Sequence, residues 1–303
     1  MRFVNADGRA ALLVDGMVHD LEEISGGRVP ASPMEVVVDH WADALDASAA
    51  GAFAGGRPAG EVRFGPPVPA PGSVFAIGLN YRSHARETGA EVGAIPPVFT
   101  KFPSAINGPY DEIILPAGEG TTDWEAELAF VVGDGGRNIP AAEALDALRG
   151  FMVAQDVSER FVQRAAGGQF SLGKSFDSFC PIGPAIVTLD ELDDPLDLRI
   201  RCVVDGTVMQ DESTADMIVD VPHLVELLSS VMTLTAGDVC LTGTPSGVGV
   251  ARRPPRFLRP GNVVETEIAG LGAMRNPCVA EVVPARRTRS RPPEHGRRRQ
   301  PGQ

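Results

Sequence analysis

Residues 123–132 read DWEAELAFVV. The apolar part, Leu128 to Val132, reads as a buried strand. Along a strand, residues two apart project from one face, so Glu125 and Glu127 stand side by side where the apolar element begins. Two like charges in that position need a cation between them, unless both simply face water at a sheet edge. Carboxylate oxygens suit hard divalent ions such as Mg2+, Mn2+ or Ca2+. A third acid, Asp156, ends a second apolar run, GFMVAQ at 150–155, where a carboxylate is either exposed or functional. Three carboxylates on one ion leave positions open for water and substrate, as a Lewis-acid site requires.

Outward from this stretch the chain is strand-rich. RIRCVVDGTVMQ (199–210) is a hairpin turning at Asp205-Gly206, and one amphipathic helix, capped by Asp220, carries Leu224, Leu227, Leu228 and Val231. No internal repeat is visible, and the regular strand-helix alternation of a doubly wound sheet or barrel is missing. The amino-terminal residues add a hairpin around Asp7-Gly8 and a helix opened by Ser32-Pro33-Met34-Glu35, with Val37, Trp41 and Leu45 along one face. From Gly51 to Gly72, Gly and Pro are too dense for regular structure, which predicts a linker. The expected organisation is α+β, with a small N-terminal domain and linker at 1–72, a catalytic domain at 73–284 and a disordered basic tail at 285–303.

The 303 residues are 43% hydrophobic and 22% charged, ordinary values for a globular chain with enough length for a large core. The formal net charge is -13. The last segment opposes it, because seven Arg against Glu294 alone make residues 285–303 about +6 and leave the rest about -19. So acidic a body repels phosphate backbones and anionic lipid, making nucleic acid an unfavoured partner. No apolar run approaches the about 18 residues that cross a bilayer, and the N-terminus has no signal-peptide h-region, so a cytoplasmic location is expected. The four cysteines, Cys180, Cys202, Cys240 and Cys278, have no metal or disulfide spacing and should be reduced thiols.

Three further stretches carry chemistry. In NYRSHARE (80–87), Asn80 can cap a short helix ending at Gly89, placing His84 and Glu87 on one face as either a surface ion pair or a general base with its orienting carboxylate. GQFSLGKS (168–175) satisfies the P-loop pattern, but Pro181 and Pro184 forbid the long helix that must follow, leaving nucleotide hydrolysis as the least favoured alternative. Lys174 within it is one of only two lysines, with Lys101, against 25 arginines. A lysine is a compact point charge suited to a metal-bound anion, though it also serves as an ordinary surface group. In LTGTPSGVG (241–249), the amides of a Gly-rich turn and the Thr244 hydroxyl suit a carboxylate, or the segment is a plain tight turn.

Taken in order, GLNYRSHARE, FTKFPSAINGP, DWEAELAFVVG, QDVSERFVQ, GKSFDSFCPIGP, VDGTVMQDESTADM, TLTAGDVCLTGTPSGVG and FLRPGNVVETEIAGLG resemble the fumarylacetoacetate hydrolase family from about Val74 to Val279. The resemblance implies a mixed β-sandwich roll with a smaller N-terminal domain, usually a homodimer. It implies Glu125, Glu127 and Asp156 as metal ligands, His84 and Glu87 as the general-base dyad on a lid, Lys174 as a site cation, and Gly243 with Thr244 as the turn that binds substrate carboxylate. The implied reaction is hydrolysis of a C–C bond in a 2,4-dioxo acid of acylpyruvate type, through an enolate held on Mg2+ (or Mn2+ or Ca2+). Isomerisation of 2-hydroxyhepta-2,4-diene-1,7-dioate and decarboxylation of a 2-oxo acid are the alternatives on the same site. Gln155 and Phe161 stand where the family commonly has Asn and Asp, and Phe161 there would reshape the pocket.

Overall fold

The run LAFVV lies within the strand Ala126–Val132, every residue of which is buried. Alternation splits it: Leu128, Phe130 and Val132 join one apolar cluster, while Ala129 and Val131 join a second on the opposite face. A strand buried on both faces must be central, and this one is. In the computed structural model, which describes residues 1–53, 55–91, 93–118 and 120–282, it pairs antiparallel with Leu148–Gln155 on one side and with Val239–Leu241 on the other. The basic segment 285–303, expected to be a disordered tail, lies outside the described residues.

Among the described residues, these strands are the middle of a 12-stranded sheet. Beyond Val239–Leu241 come Val74–Ile77, in parallel, and Val98–Thr100. Beyond Leu148–Gln155 come Cys180–Val187 and then Arg2–Ala6, Arg9–Val14, Met17–Asp20 and Arg57–Pro58. A second sheet orders Thr207–Ser213, Arg199–Val204, Val263–Ile268, Gly272–Ala280 and Ile113–Leu115. Residues from both sheets, including Phe130, Phe151, Ile200 and Val264, share the larger cluster. The result is the strand-rich α+β sandwich anticipated from the pattern.

Several local expectations need correction. The N-terminal strands extend the main sheet, because Phe3 lies opposite Ile186 in the ladder. The Gly/Pro-rich stretch is not irregular throughout: Arg57–Pro58 pairs with Met17–Asp20, and Phe64–Gly65 pairs with Arg2–Ala6. Proline is tolerated there because the strand lies at an edge. The helix opened by Ser32 stops at Asp39, and a second, Trp41–Ala50, begins after His40, whose φ of -123° leaves the helical region. The break lets Trp41 pack edge to face on Phe3 at 5.5 Å, while Leu45 remains exposed. In Val221–Val231 the Asp220 cap holds, accepting from the His223 amide, but Val231 is exposed where the last turn leaves the core.

Candidate active site

Two adjacent strand ends build the acidic group. Ala126 lies opposite Gln155, so Glu125 and Asp156, the next residues out, emerge together, and the Asp156 amide donates to the Glu125 carbonyl at 2.9 Å. Glu127 follows on the same face as Glu125. One oxygen from each of Glu125, Glu127 and Asp156 lies within 4.8 Å of the others, and all three residues are buried. Three hard oxygens in a water-poor pocket fit a divalent ion of the Mg2+, Mn2+ or Ca2+ type.

The chain's own cations surround these acids. Lys174 Nζ donates to Glu125 Oε2 at 2.5 Å and to Asp156 Oδ2 at 2.6 Å. Arg160 donates to Glu125 Oε1 at 2.6 Å and to the buried Asp123 at 2.9 Å. Burial would lift the Glu125 carboxyl, but Lys174, Arg160 and His84 outweigh it and hold it down at about 2. Glu127 accepts from the Gly243 amide at 2.7 Å, and burial with the charges of Asp156 and Glu125 pushes its carboxyl well above the usual range. For Lys174, burial works against the charge, yet Asp156 and Glu125 prevail and raise it.

His84 and Glu87 sit on the helix Arg82–Thr88, which Gly89 ends in a left-handed conformation with φ of 68°. His84 Nδ1 lies 3.3 Å from Glu87 Oε2, and the other Glu87 oxygen accepts from the Gly247 amide at 2.9 Å. Asn80 does not cap this helix. It is buried two residues ahead of Arg82, donates to the carbonyls of Val219 and Thr242, and accepts from the Val219 amide, tying three loops together.

The Gly-rich turn has spent its best donors on the protein. Gly243 N–H serves Glu127, and the Thr244 hydroxyl donates to the Ala126 carbonyl at 2.8 Å while accepting from Gln210. Its φ of +97°, with the Asn80 side chain 2.8 Å from where a Cβ would stand, makes Gly243 a position that only glycine fills easily. The P-loop match fails structurally: residues 171–178 are turns leading into the strand Cys180–Val187, and Lys174 points into the carboxylates.

His84, Glu125, Glu127, Lys174 and Thr244 line one cavity of about 130 Å³, together with Arg160. Phe99 and Phe170, edge to face at 5.5 Å, give it an apolar wall. Phe161 is 53% exposed and not among the lining residues, so it does not shape the cavity directly. Sequence reasoning missed Asp123, Arg160 and Gln210, and marked Gln155 only as a departure from the Asn common in the family. Gln155 accepts from the Glu125 amide and Gln210 from the Ala126 amide, each at 2.9 Å. The one available signal was the acid-rich DWE and its partner arginine in QDVSER, which have to meet for either to be buried.

Residues 73–279 match the family described as fumarylacetoacetate hydrolase C-terminal. An oxaloacetate tautomerase, FAHD2A, mitochondrial, of Bos taurus is 48% identical over 223 residues, 73% of this chain and 71% of that protein. A 2,4-didehydro-3-deoxy-L-rhamnonate hydrolase of Sphingomonas sp. (strain SKA58) is 41% identical over 264 residues, 86% of this chain and 88% of that one. Among solved structures, a maleylpyruvate hydrolase from Sphingobium sp. SYK-6, in complex with manganese (II) ion and pyruvate, aligns with a TM-score of 0.77 at 29% identity, covering 92% of this chain and 99% of the other.

Proposed function

The chain belongs to the fumarylacetoacetate hydrolase family, and on that premise we propose that it is a divalent-metal-dependent hydrolase cleaving a C–C bond in a small 2,4-dioxo acid. The observation that carries this reading is that His84, paired with Glu87, lines one cavity with Glu125, Glu127 and Lys174, while Asp156 is held behind them on Lys174. Glu125, Glu127 and Asp156 would hold the ion, with Mg2+ the first choice and Mn2+ or Ca2+ the others; bound there it would act as a Lewis acid toward the oxygens of a 2-oxo acid.

Glu87 accepts from Nδ1–H of His84 and so leaves Nε2 to take a proton from water. The hydroxide adds to the distal carbonyl carbon, the C–C bond breaks, and its electron pair stays on the 2-oxo acid fragment as an enolate. Lys174 supplies positive charge to that fragment. A proton returned from His84 completes a 2-oxo acid and a carboxylic acid. Thr244 is at the cavity wall, but its one proton is committed to the Ala126 carbonyl, so it borders the substrate without donating to its carboxylate, while Gly243 orders Glu127.

A second reading, keto–enol tautomerisation of a 2-oxo acid such as oxaloacetate, is favoured by the 48% identity to proteins of that name. It uses the same dyad to move a proton and breaks no C–C bond. A panel of acylpyruvates and oxaloacetate, assayed with Mg2+ and with EDTA, separates them. Metal-dependent release of pyruvate from an acylpyruvate is the expected result; enol–keto conversion with no cleavage would replace hydrolysis by tautomerisation. We propose further that the enzyme is a homodimer acting in the cytoplasm.

A further inference from the structure

Of the chain's 27 Lys and Arg residues, only Lys101 and Lys174 are lysines. Both are buried, at 1% and 2% exposure. Their ammonium groups converge on one carboxylate: Lys101 Nζ donates to Asp156 Oδ1 and Lys174 Nζ to Asp156 Oδ2, each at 2.6 Å. Lys101 also donates to the main-chain carbonyl of Lys174 and, at 3.4 Å, to that of Val157. Its own backbone is fixed at the sheet, where the Lys101 amide donates to the Val74 carbonyl at 3.0 Å.

We propose that Lys101 is a positioning residue for the divalent-ion site, setting the separation between the ligand Asp156 and the site cation Lys174. The proposal rests on the metal reading above. Lys101 is absent from the cavity lining, so it acts through these two neighbours and not on substrate. The three protons of an ammonium point tetrahedrally and meet three acceptors drawn from two chain segments. A guanidinium is planar and bulkier, and its fork cannot serve all three from the same enclosed place. That geometric demand accounts for a lysine surviving here in a chain that otherwise uses arginine for nearly every cation.

Having two lysines makes the test direct on the wild-type protein. With lysine labelled by 15N at Nζ, the folded chain should give two slowly exchanging ammonium signals, assigned with Lys101→Arg or Lys174→Arg. Titration with Mg2+ should move both signals with one midpoint, because both groups hold Asp156. Movement of the Lys174 signal while that of Lys101 stays put would overturn the proposal and leave the metal reading standing. If neither moves and calorimetry detects no Mg2+ binding, the metal reading fails, and the proposal with it.

A substitution supplies the direction of the effect. Removing a nearby positive charge should by itself tighten cation binding. Loss of positioning should weaken it. For Lys101→Met, at least tenfold weaker Mg2+ affinity by calorimetry is expected, and Lys101→Arg should fail to restore it. Affinity that is unchanged or tighter in Lys101→Met would reduce Lys101 to charge balance and contradict the assignment.

Discussion

Glu127 is a carboxyl group buried between two other acids, and burial, Asp156 and Glu125 all favour its protonated form. An ion that binds through it must displace a proton. Its raised value means that ion affinity should climb as pH rises through the range where Glu127 ionises, and calorimetry in two buffers of different ionisation enthalpy should detect the released proton. Glu127→Gln keeps an acceptor for the Gly243 amide, so it should preserve the melting temperature while lowering Mg2+ affinity about a hundredfold or more, in line with loss of a ligand. Binding that ignores both pH and this substitution would remove Glu127 from the site. For the proposed base, Glu87→Gln leaves the Gly247 contact possible but withdraws the charge facing His84. Turnover should fall about 10²-fold or more, with ion affinity unchanged. The carboxylates were legible because period-two spacing and burial are local properties of a strand. Arg160 and Asp123 were not, since their ion pair, at 2.8 Å, joins residues 37 positions apart, and the charges of DWE and QDVSER do not say which acid meets the arginine.

The segment 242–250 joins the two halves of the site. Its amides serve Glu127 from Gly243, Glu87 from Gly247, and Asp123 from Gly249 and Val250. The sequence alone reads it as a turn suited to a carboxylate; its observed work is to hold side chains. Gly247 has a φ of +105°, and a Cβ there would lie 2.0 Å from the Met209 carbonyl oxygen. Gly247→Ala should therefore shift the segment, misplace Glu87 and cost activity far more than ion affinity, as parallel kinetics and calorimetry would show. A comparable loss in both would mean that the segment acts on the whole fold. By contrast, Asp220→Ala at the start of Val221–Val231 should cost about 1 kcal/mol by chemical denaturation and leave turnover intact. The helix at Asp220 was legible because its cap is local. The break at His40 was not, because what turns Trp41 inward is Phe3, on a strand far away in sequence.

Across the whole molecule, the sheet runs without interruption from the N-terminal hairpin to the strands beneath the site. Strand Arg2–Ala6 pairs with Cys180–Val187, which pairs with Leu148–Gln155, the strand that leads into Asp156. A chain beginning at residue 73 would bare the Cys180–Val187 edge and the apolar surface that Phe3 and Leu12 cover. It should not unfold cooperatively, as circular dichroism on heating would report; a sharp transition would show residues 1–72 to be an independent unit. The strand-rich class was readable from pattern alone, because alternation and turns are short-range. Sheet order was not, since neighbours such as Val74–Ile77 and Val239–Leu241 lie far apart in the chain. The proposed function rests on one chemical step, the addition of water activated at His84 to a carbonyl of a 2,4-dioxo acid. Turnover of an acylpyruvate in H2 18O with Mg2+ tests it most directly. The account predicts pyruvate together with a carboxylic acid carrying one solvent-derived 18O, and no reaction in EDTA. Recovery of uncleaved substrate with only solvent hydrogen exchanged at the carbon next to the 2-oxo group would contradict it.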